Sequence, residues 1–328
     1  MASIMTNAAA LTALQSLNST NKNLEVTQAR ISTGYRVADA SDNAAYWSIA
    51  TTMRSDNQAL STVQDSLGLG ASKVDTAYTG MNKAIDTVNQ IKTKLVAAAV
   101  STDADKAKYQ IEIKALQDQL KSYADAATFS GTNMLSVTTV STATTAADVK
   151  VVSAFNRNAT GAASISTIDI SVEAIKLYEA GTNVGVNKGI LDSNRTSAGV
   201  EGAAAAPTLG AAAVAADTYT VSTMQLTNGT LYASQSQIEA MIGVVESAAK
   251  DMTTAATNLG AAKSRIGLQK EFTQSLMDSI DRGVGQLVDA DMNKESTRLQ
   301  ALQVQQQLGI QALSIANGNS QSILSLFR

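Results

Sequence analysis

The amino-acid sequence predicts a mainly α-helical protein, in which both termini supply long antiparallel helices and coiled coil, with an inserted small β-containing domain between them. Three observations predict this fold. Pro207 is the only proline, so long stretches on either side of it contain no proline helix breaker. Apolar residues recur at heptad spacing near both ends of the chain. Between them, residues 137–232 are rich in Ser, Thr, Gly and Ala.

The composition excludes the commonest catalytic and metal-binding chemistry. The 328 residues contain no cysteine and no histidine, which removes cysteine nucleophiles, histidine bases, and thiolate or imidazole metal sites. The net charge of −3 does not indicate a nucleic-acid partner. Only 4% of residues are aromatic, and alanine supplies much of the apolar share. Small side chains suit close helix–helix contact, so we expect a building block with no enzyme activity, cofactor or metal.

The N-terminal part predicts a first helix and a turn. The helix carries an apolar stripe whose last three members are seven residues apart, made of Leu11, Leu14, Leu17, Leu24 and Ile31. Gly34 predicts the turn. Ser41 or Asp42 is the predicted N-cap of the helix that follows.

Two more helices are predicted before the insert. One runs from Asn43 to about residue 100 without a strong stop signal. Residues 101–103 predict a turn with a new cap. The next helix is amphipathic and is expected to end near residues 129–133, where Ser, Gly, Thr and Asn follow one another.

The C-terminal part has the clearest periodicity. Apolar residues alternate four and three apart in a predicted coiled-coil seam, formed by Met241, Val245, Ala248, Met252, Ala255, Leu259, Ala262 and Ile266. A final helical segment carries Leu299, Leu302, Leu313 and Ile323. Terminal helices with so little aromatic bulk are marginal alone, so we expect them to pack on the opposite terminus and on neighbouring molecules.

The middle of the chain predicts short strands separated by turns. Alternating runs occur at residues 149–151, 164–172 and 219–224, and residues 203–206 begin a low-complexity loop. We expect a solvent-facing insert that is the least stable part of the protein, because it has few large side chains.

Three local patterns resemble functional motifs. Gly68-Leu69-Gly70 lacks the preceding strand and the remaining residues of a phosphate loop, so a helix surface is the better interpretation. Residues 289–293 copy the start of a calcium loop, but Lys294 and Gln300 stand where Gly and Glu are needed. The glutamines at 303, 305, 306 and 307 fit a solvated helix face, amide pairing between subunits, or the polar lining of a channel.

Several segments together resemble the bacterial flagellins. They are Ala29-Arg30-Ile31-Ser32-Thr33-Gly34-Tyr35-Arg36-Val37, Asp42-Asn43-Ala44-Ala45, Phe129-Ser130-Gly131-Thr132-Asn133-Met134-Leu135, Asp289-Ala290-Asp291 and Leu324-Ser325-Leu326-Phe327-Arg328. Tyr46-Trp47-Ser48-Ile49-Ala50 is similar to the form found in rhizobial and other alphaproteobacterial members. The resemblance covers roughly residues 1–136 and 233–328.

The resemblance implies a structural subunit that polymerises into the flagellar filament and serves swimming motility. It implies an inner terminal coiled-coil domain (1–42 with 288–328), an outer helical domain (43–136 with 233–287) and a variable surface-exposed domain (137–232). The expected inter-subunit residues are the terminal stripes, and Met241, Val245, Met252, Leu259 and Ile266 form the outer seam. The implied partners are copies of the chain, other flagellins and hook-associated proteins, with no membrane insertion.

Export is expected to follow the flagellar route. No charged segment followed by an apolar run opens the sequence, so we expect no conventional signal peptide. The resemblance implies an export chaperone, the type III export apparatus and an extracellular location in the filament. One alternative stays open at this point, a hook-associated junction protein of the flagellum. A signalling coiled coil would need membrane spans, and no run of the sequence approaches the roughly 18 apolar residues of a span. We expect no enzyme in the middle segment.

Overall fold

A computed structural model describes residues 7–139, 145–158, 161–181, 188–202, 207–214 and 217–326, with side chains described up to residue 318. Five helices dominate it: α1 (Ala8–Thr33), α2 (Ala44–Ala99), α3 (Asp103–Ala126), α4 (Gln235–Val288) and α5 (Met292–Leu326). At 1.5 Å per residue, the 56 residues of α2 span about 84 Å. The predicted fold class is confirmed.

Polar caps explain where the helices begin. The Asn7 side chain accepts a hydrogen bond from the Ala10 amide at the start of α1, and Thr102 accepts one from the Asp105 amide at the start of α3. The predicted cap of α2 at Ser41 or Asp42 is wrong. Asn43 Oδ1 accepts the Tyr46 amide (3.1 Å), because the Asp42 carboxylate already accepts the Ala38 amide (2.9 Å).

Within the described residues, eight strands form four two-stranded sheets. The strands are β1 (Thr128–Phe129), β2 (Thr132–Asn133), β3 (Ser136–Val137), β4 (Val149–Arg157), β5 (Ala163–Ile170), β6 (Tyr178–Glu179), β7 (Arg195–Thr196) and β8 (Thr218–Tyr219). The pairs β1–β2, β4–β5 and β7–β8 are antiparallel, and β3–β6 is parallel.

The two longest strands, β4 and β5, overlap the predicted runs at residues 149–151 and 164–172, but β4 continues to Arg157 and β5 ends at Ile170. The predicted strand over residues 219–224 is wrong beyond Tyr219. The Thr220 carbonyl accepts the amides of Thr223 and Met224, so the chain turns there in place of extending. The predicted low-complexity loop at residues 203–206 lies outside the described residues.

The chain divides into two compact units, which we name by position. The central unit comprises residues 60–275 and the terminal unit comprises residues 1–59 and 276–328. The central unit has one continuous core, to which α2, α3, α4 and the insert all contribute buried apolar residues. The terminal unit has a small core of its own, formed by Val37, Ala50, Val284 and Val288.

Candidate functional site: the terminal helices

In the terminal unit, the connector between α1 and α2 hydrogen-bonds to the connector between α4 and α5. The Arg36 and Val37 amides donate to the Val288 carbonyl (2.7 and 3.2 Å), and the Ala290 amide donates to the Gly34 carbonyl (2.9 Å). Gly34 ends α1 with φ +77°, a conformation that glycine adopts without strain. Two of the segments that carry the resemblance therefore meet, although more than 250 residues separate them in the sequence.

Helices α1 and α5 pack along a heptad seam. On α1 the least exposed positions recur three and four apart: Ala10, Ala13, Leu17, Thr20, Leu24, Thr27 and Ile31. On α5 the same spacing runs through Leu299, Leu302, Gln306, Gly309, Leu313 and Ala316. Leu302 is 7% exposed, whereas the other leucines of the seam are half-buried. The seam therefore holds the two helices together and buries little large apolar surface.

Polar contacts fix the register of this pair. Asn7 Nδ2 donates to the Ala316 carbonyl (2.9 Å) near one end, and Arg30 pairs with Glu295 (3.3 Å) near the other. Between them, Gln306 Nε2 donates to Asn21 Oδ1 (2.8 Å). Gln306 thus pairs within its own subunit, whereas its neighbours Gln303, Gln305 and Gln307 are exposed.

A second apolar stripe on α5 faces away from the seam. It follows the same three-and-four spacing through Ala301, Val304, Leu308 and Ile315, with the polar Gln311 between the last two, and all five residues are exposed. Val304, Leu308 and Ile315 are 55%, 57% and 66% exposed. On α1, Leu11, Leu14 and Val26 are exposed too. We call Val304, Leu308 and Ile315 the outer stripe of α5.

The structure therefore places the predicted apolar residues of the terminal helices in two groups, inside and outside the seam. Leu17, Leu24 and Ile31 lie on the seam side of α1 with Leu299, Leu302 and Leu313 opposite, and Leu11 and Leu14 lie outside it. The side chain of Ile323 lies outside the described residues. The sequence alone did not reveal the outer stripe, although its residues have a regular three-and-four spacing. They alternate along α5 with the residues of the seam, so the two patterns are hard to tell apart.

The predicted outer-layer seam lies in the core of the central unit. Met241, Val245, Met252, Leu259 and Ile266 are each at most 1% exposed, and the small residues between them, Ala248, Ala255 and Ala262, are buried as well. Polar pairs flank the packing of α2 on α4: Lys92 with Glu246, Asp75 with Lys263, and Gln64 with Gln274 (2.7 Å). This seam is filled within one subunit.

The calcium-like segment has a local structural role. Asp291 Oδ1 accepts the amides of Asn293 (3.0 Å) and Lys294 (3.2 Å) and so caps α5. Among the described residues there is no group of three or more acidic side chains placed to hold a metal ion. Within the same part of the chain, the helices are too polar or too short to cross a membrane.

Comparison with known proteins decides the family. A model of the bacterial flagellin N-terminal helical region matches residues 4–139, and a model of the C-terminal helical region matches residues 242–327. Flagellin C of Rhizobium meliloti (strain 1021) is 48% identical, Flagellin of Brucella melitensis biotype 1 is 47% identical and Flagellin A of Rhizobium meliloti is 45% identical. Each of these alignments covers 100% of both chains.

The chain belongs to the bacterial flagellin family. It is a structural subunit of the flagellar filament, located outside the cell, and it is not an enzyme. Flagellin subunits assemble with copies of themselves, so a filament must form from contacts that repeat without closing. The predicted function and the alphaproteobacterial relationship are confirmed.

Buried polar residues of this flagellin escaped the sequence-based reasoning. The Lys176 side chain is fully buried and pairs with Glu173 (2.9 Å) and Glu179 (3.3 Å). Glu179 also accepts hydrogen bonds from the amide and hydroxyl of Thr139 (2.7 Å each). Burial acts to raise the pKa of Glu179, but these hydrogen bonds outweigh it, so that the pKa lies below its ordinary value. No periodicity marks such residues.

Proposed function

We propose that this flagellin polymerises through the apolar residues that the α1–α5 pair leaves exposed. The observation that carries the proposal is the outer stripe of α5. A helix that is apolar on two faces is stable in water only when both faces are covered. One face packs on α1, and a second copy of the chain covers the other.

The repeat of the outer stripe indicates what covers it. Residues 301, 304, 308, 311 and 315 follow heptad spacing, which suits another helix packed side by side. The exposed apolar residues of α1, which are Leu11, Leu14 and Val26, supply a matching surface on the neighbouring subunit. Because the two surfaces differ, the contact is heterologous and propagates as an open helical array.

The glutamines fit a different role. Gln300, Gln303 and Gln307 are exposed and recur three and four apart, on a face between the two apolar stripes. We propose that this polar face lines the channel of an inner layer built from residues 1–42 and 288–328. Residues 43–136 and 233–287 then form the outer layer, and residues 137–232 lie at the filament surface.

The remaining partners follow from this assembly. Subunits leave the cell through the flagellar type III apparatus, accompanied by an export chaperone. Hook-associated proteins join the ends of the filament. The exposed stripes on α1 and α5 are the surfaces that a chaperone must shield before polymerisation, since exposed apolar helix faces promote premature association.

The decisive experiment replaces the outer stripe with serine in the full chain (Val304→Ser, Leu308→Ser and Ile315→Ser together). We expect this variant to remain in the supernatant after centrifugation under conditions where the unsubstituted protein sediments as filaments. Its far-UV circular dichroism should still report a folded helical core. Ile165→Ser is the matched control, because Ile165 is 65% exposed but lies on β5. Filaments of the triple variant at the normal protein concentration would refute the proposal.

A truncation provides a second test. Removal of residues 313–328 deletes the last part of both the seam and the outer stripe. We expect a soluble monomer with a helical core, measured by analytical ultracentrifugation and circular dichroism. Long filaments from the truncated chain would contradict the role of the terminal helices.

A further inference from the structure

Glycines in the long helices mark where the insert touches them. Gly70 lies inside α2, where glycine weakens a helix. A Cβ atom built at Gly70 would collide with both methyl groups of Val151 on β4. At Gly68, two residues earlier, a Cβ atom would meet nothing within 4 Å. The glycine pair that resembles a phosphate loop thus contains one glycine that admits the insert and one that does not contact it.

A second close approach lies on α4. A Cβ atom at Gly243 would collide with the Ser197 carbonyl oxygen, in the turn that follows β7. Beside it, the buried Arg195 guanidinium donates to Asp251 Oδ2 (2.5 Å) and to Ser247 Oγ (3.3 Å). Residues 243, 247 and 251 are four apart and share one face of α4. This face therefore receives the 195–199 segment through close packing and an ion pair.

Two buried glutamines form hydrogen bonds with the backbone of the C-terminal part of the insert, residues 208–224. Gln117 on α3 donates to the carbonyls of Val221 (2.9 Å) and Met224 (3.1 Å). Gln237 on α4 donates to the Thr208 carbonyl (2.9 Å) and accepts the Gly210 amide (3.1 Å). Both side chains are buried, so these bonds satisfy glutamine amide groups that would otherwise be costly to bury.

Apolar packing also joins the insert to the long helices. Contrary to the expectation from the sequence, the insert contributes several large buried side chains to the core shared with α2, α3 and α4, among them Val151, Ile168, Leu177, Leu191, Val221 and Leu226. The core residues of the long helices lie in this cluster, including Leu67 and Met241. Without the insert, part of the apolar face of these helices would be open to water.

We infer that the insert, residues 137–232, acts as an internal brace, which completes the core of α2, α3 and α4 within one subunit through contacts at Gly70 and Gly243. The brace does not depend on the proposed assembly through the terminal helices. The surface of the insert is therefore complementary to the long helices of the same chain.

Glycine-to-alanine substitutions in the full-length, unpolymerised protein test the brace. Gly68→Ala and Gly267→Ala should raise the thermal unfolding midpoint by about 2 °C, since alanine favours helix and a Cβ at either position meets no neighbour within 4 Å. Gly70→Ala and Gly243→Ala should lower the midpoint in spite of the same gain in helix propensity. If Gly70→Ala raised the midpoint as Gly68→Ala does, the brace would be overturned.

A compensating substitution shows whether Gly70→Ala loses stability because of its contact with Val151 or for some other reason. Val151→Ala deletes the two methyl groups that oppose Gly70, so the pair Gly70→Ala with Val151→Ala should recover at least half of the midpoint lost by Gly70→Ala. Strictly additive losses would contradict the contact. Serine substitution of the outer stripe of α5 should change sedimentation and leave this midpoint unchanged, so the brace and the assembly proposal fail in different measurements.

Discussion

At the scale of the residue, Tyr219 combines burial with an unsatisfied hydroxyl. The side chain is 5% exposed, and its hydroxyl has no hydrogen-bond partner among the described residues. Burial, with a smaller contribution from the charge of Asp217, raises the pKa of Tyr219 to about 12. A buried hydroxyl without a partner costs about 1–3 kcal/mol.

We expect Tyr219→Phe to raise the free energy of unfolding at pH 7 by about 1 kcal/mol, because it removes the unsatisfied hydroxyl and keeps the ring. The pKa of Tyr219 in the folded state lies above its value of 10.0 in the unfolded chain. Because the unfolded chain loses this proton first, the free energy of unfolding of the unsubstituted protein falls as the pH rises from 10 to about 12, and Tyr219→Phe removes that fall. Urea unfolding at pH 7 and pH 11 measures both effects. Tyr46→Phe is the control, because the Tyr46 side chain is exposed. A less stable variant at pH 7 would mean that the hydroxyl has a partner.

The residues that sequence reasoning located and those it missed differ in what positions them. Met241, Val245 and Met252 were predictable because a heptad repeat places them on one face of one helix. Gln117 and Arg195 were not, because their partners are set by the tertiary fold. Gln117 bonds to carbonyls more than 100 residues away, and Arg195 pairs with Asp251 on another element. Residue type alone carries no signal of such partners.

At the scale of the element, the start of α2 depends on one side chain. The Asn43 side chain accepts the Tyr46 amide, and the Asn43 carbonyl accepts the Trp47 amide (2.9 Å). The sequence offers three adjacent residues that can cap, Ser41, Asp42 and Asn43. Propensity does not choose among them, and the hydrogen bonds of Asp42 to the preceding connector decide the choice.

We expect Asn43→Ala to lower the free energy of unfolding by about 1 kcal/mol, the usual effect of losing an N-cap. Ser41→Ala should change it by less than about 0.5 kcal/mol, as is typical of surface substitutions. Chemical denaturation of the two variants at equal protein concentration distinguishes the caps. Equal losses in both variants would show that the cap is shared, contrary to the geometry of Asn43.

Helix α5 shows why a stripe can be found and its partner missed. The sequence places Leu299, Leu302 and Leu313 on one face, and the structure sets that face against α1. Val304, Leu308 and Ile315 repeat with the same period on another face. Periodicity shows that a helix has an apolar face, but it does not show what packs on that face. Only the exposure of the outer stripe in the structure tells us that its partner must come from outside the subunit.

At the scale of the whole molecule, the two units differ in how completely they bury their apolar residues. The central unit has a continuous core in which many large side chains, including Leu67, Met81 and Leu259, are fully buried. In the terminal unit, the α1–α5 pair buries Thr20, Thr27 and Leu302, whereas the alanines and the other leucines of the seam are only half-buried. Two paired helices with so little burial open easily, because most helix stability in proteins comes from packing.

Hydrogen exchange should therefore separate the two units in the full-length monomer. We expect peptides from α1 and α5 to exchange quickly in dilute solution, while peptides from the part of α2 within residues 60–99 and from α3 stay protected. In filaments, α1 and α5 should gain at least about tenfold protection, equivalent to about 1.4 kcal/mol, because neighbouring copies cover their exposed stripes. Mass spectrometry of monomer and filament samples measures this directly. The serine variant of the outer stripe should keep the monomer pattern at every concentration, and full protection of α1 and α5 in the dilute monomer would mean that the pair needs no neighbour.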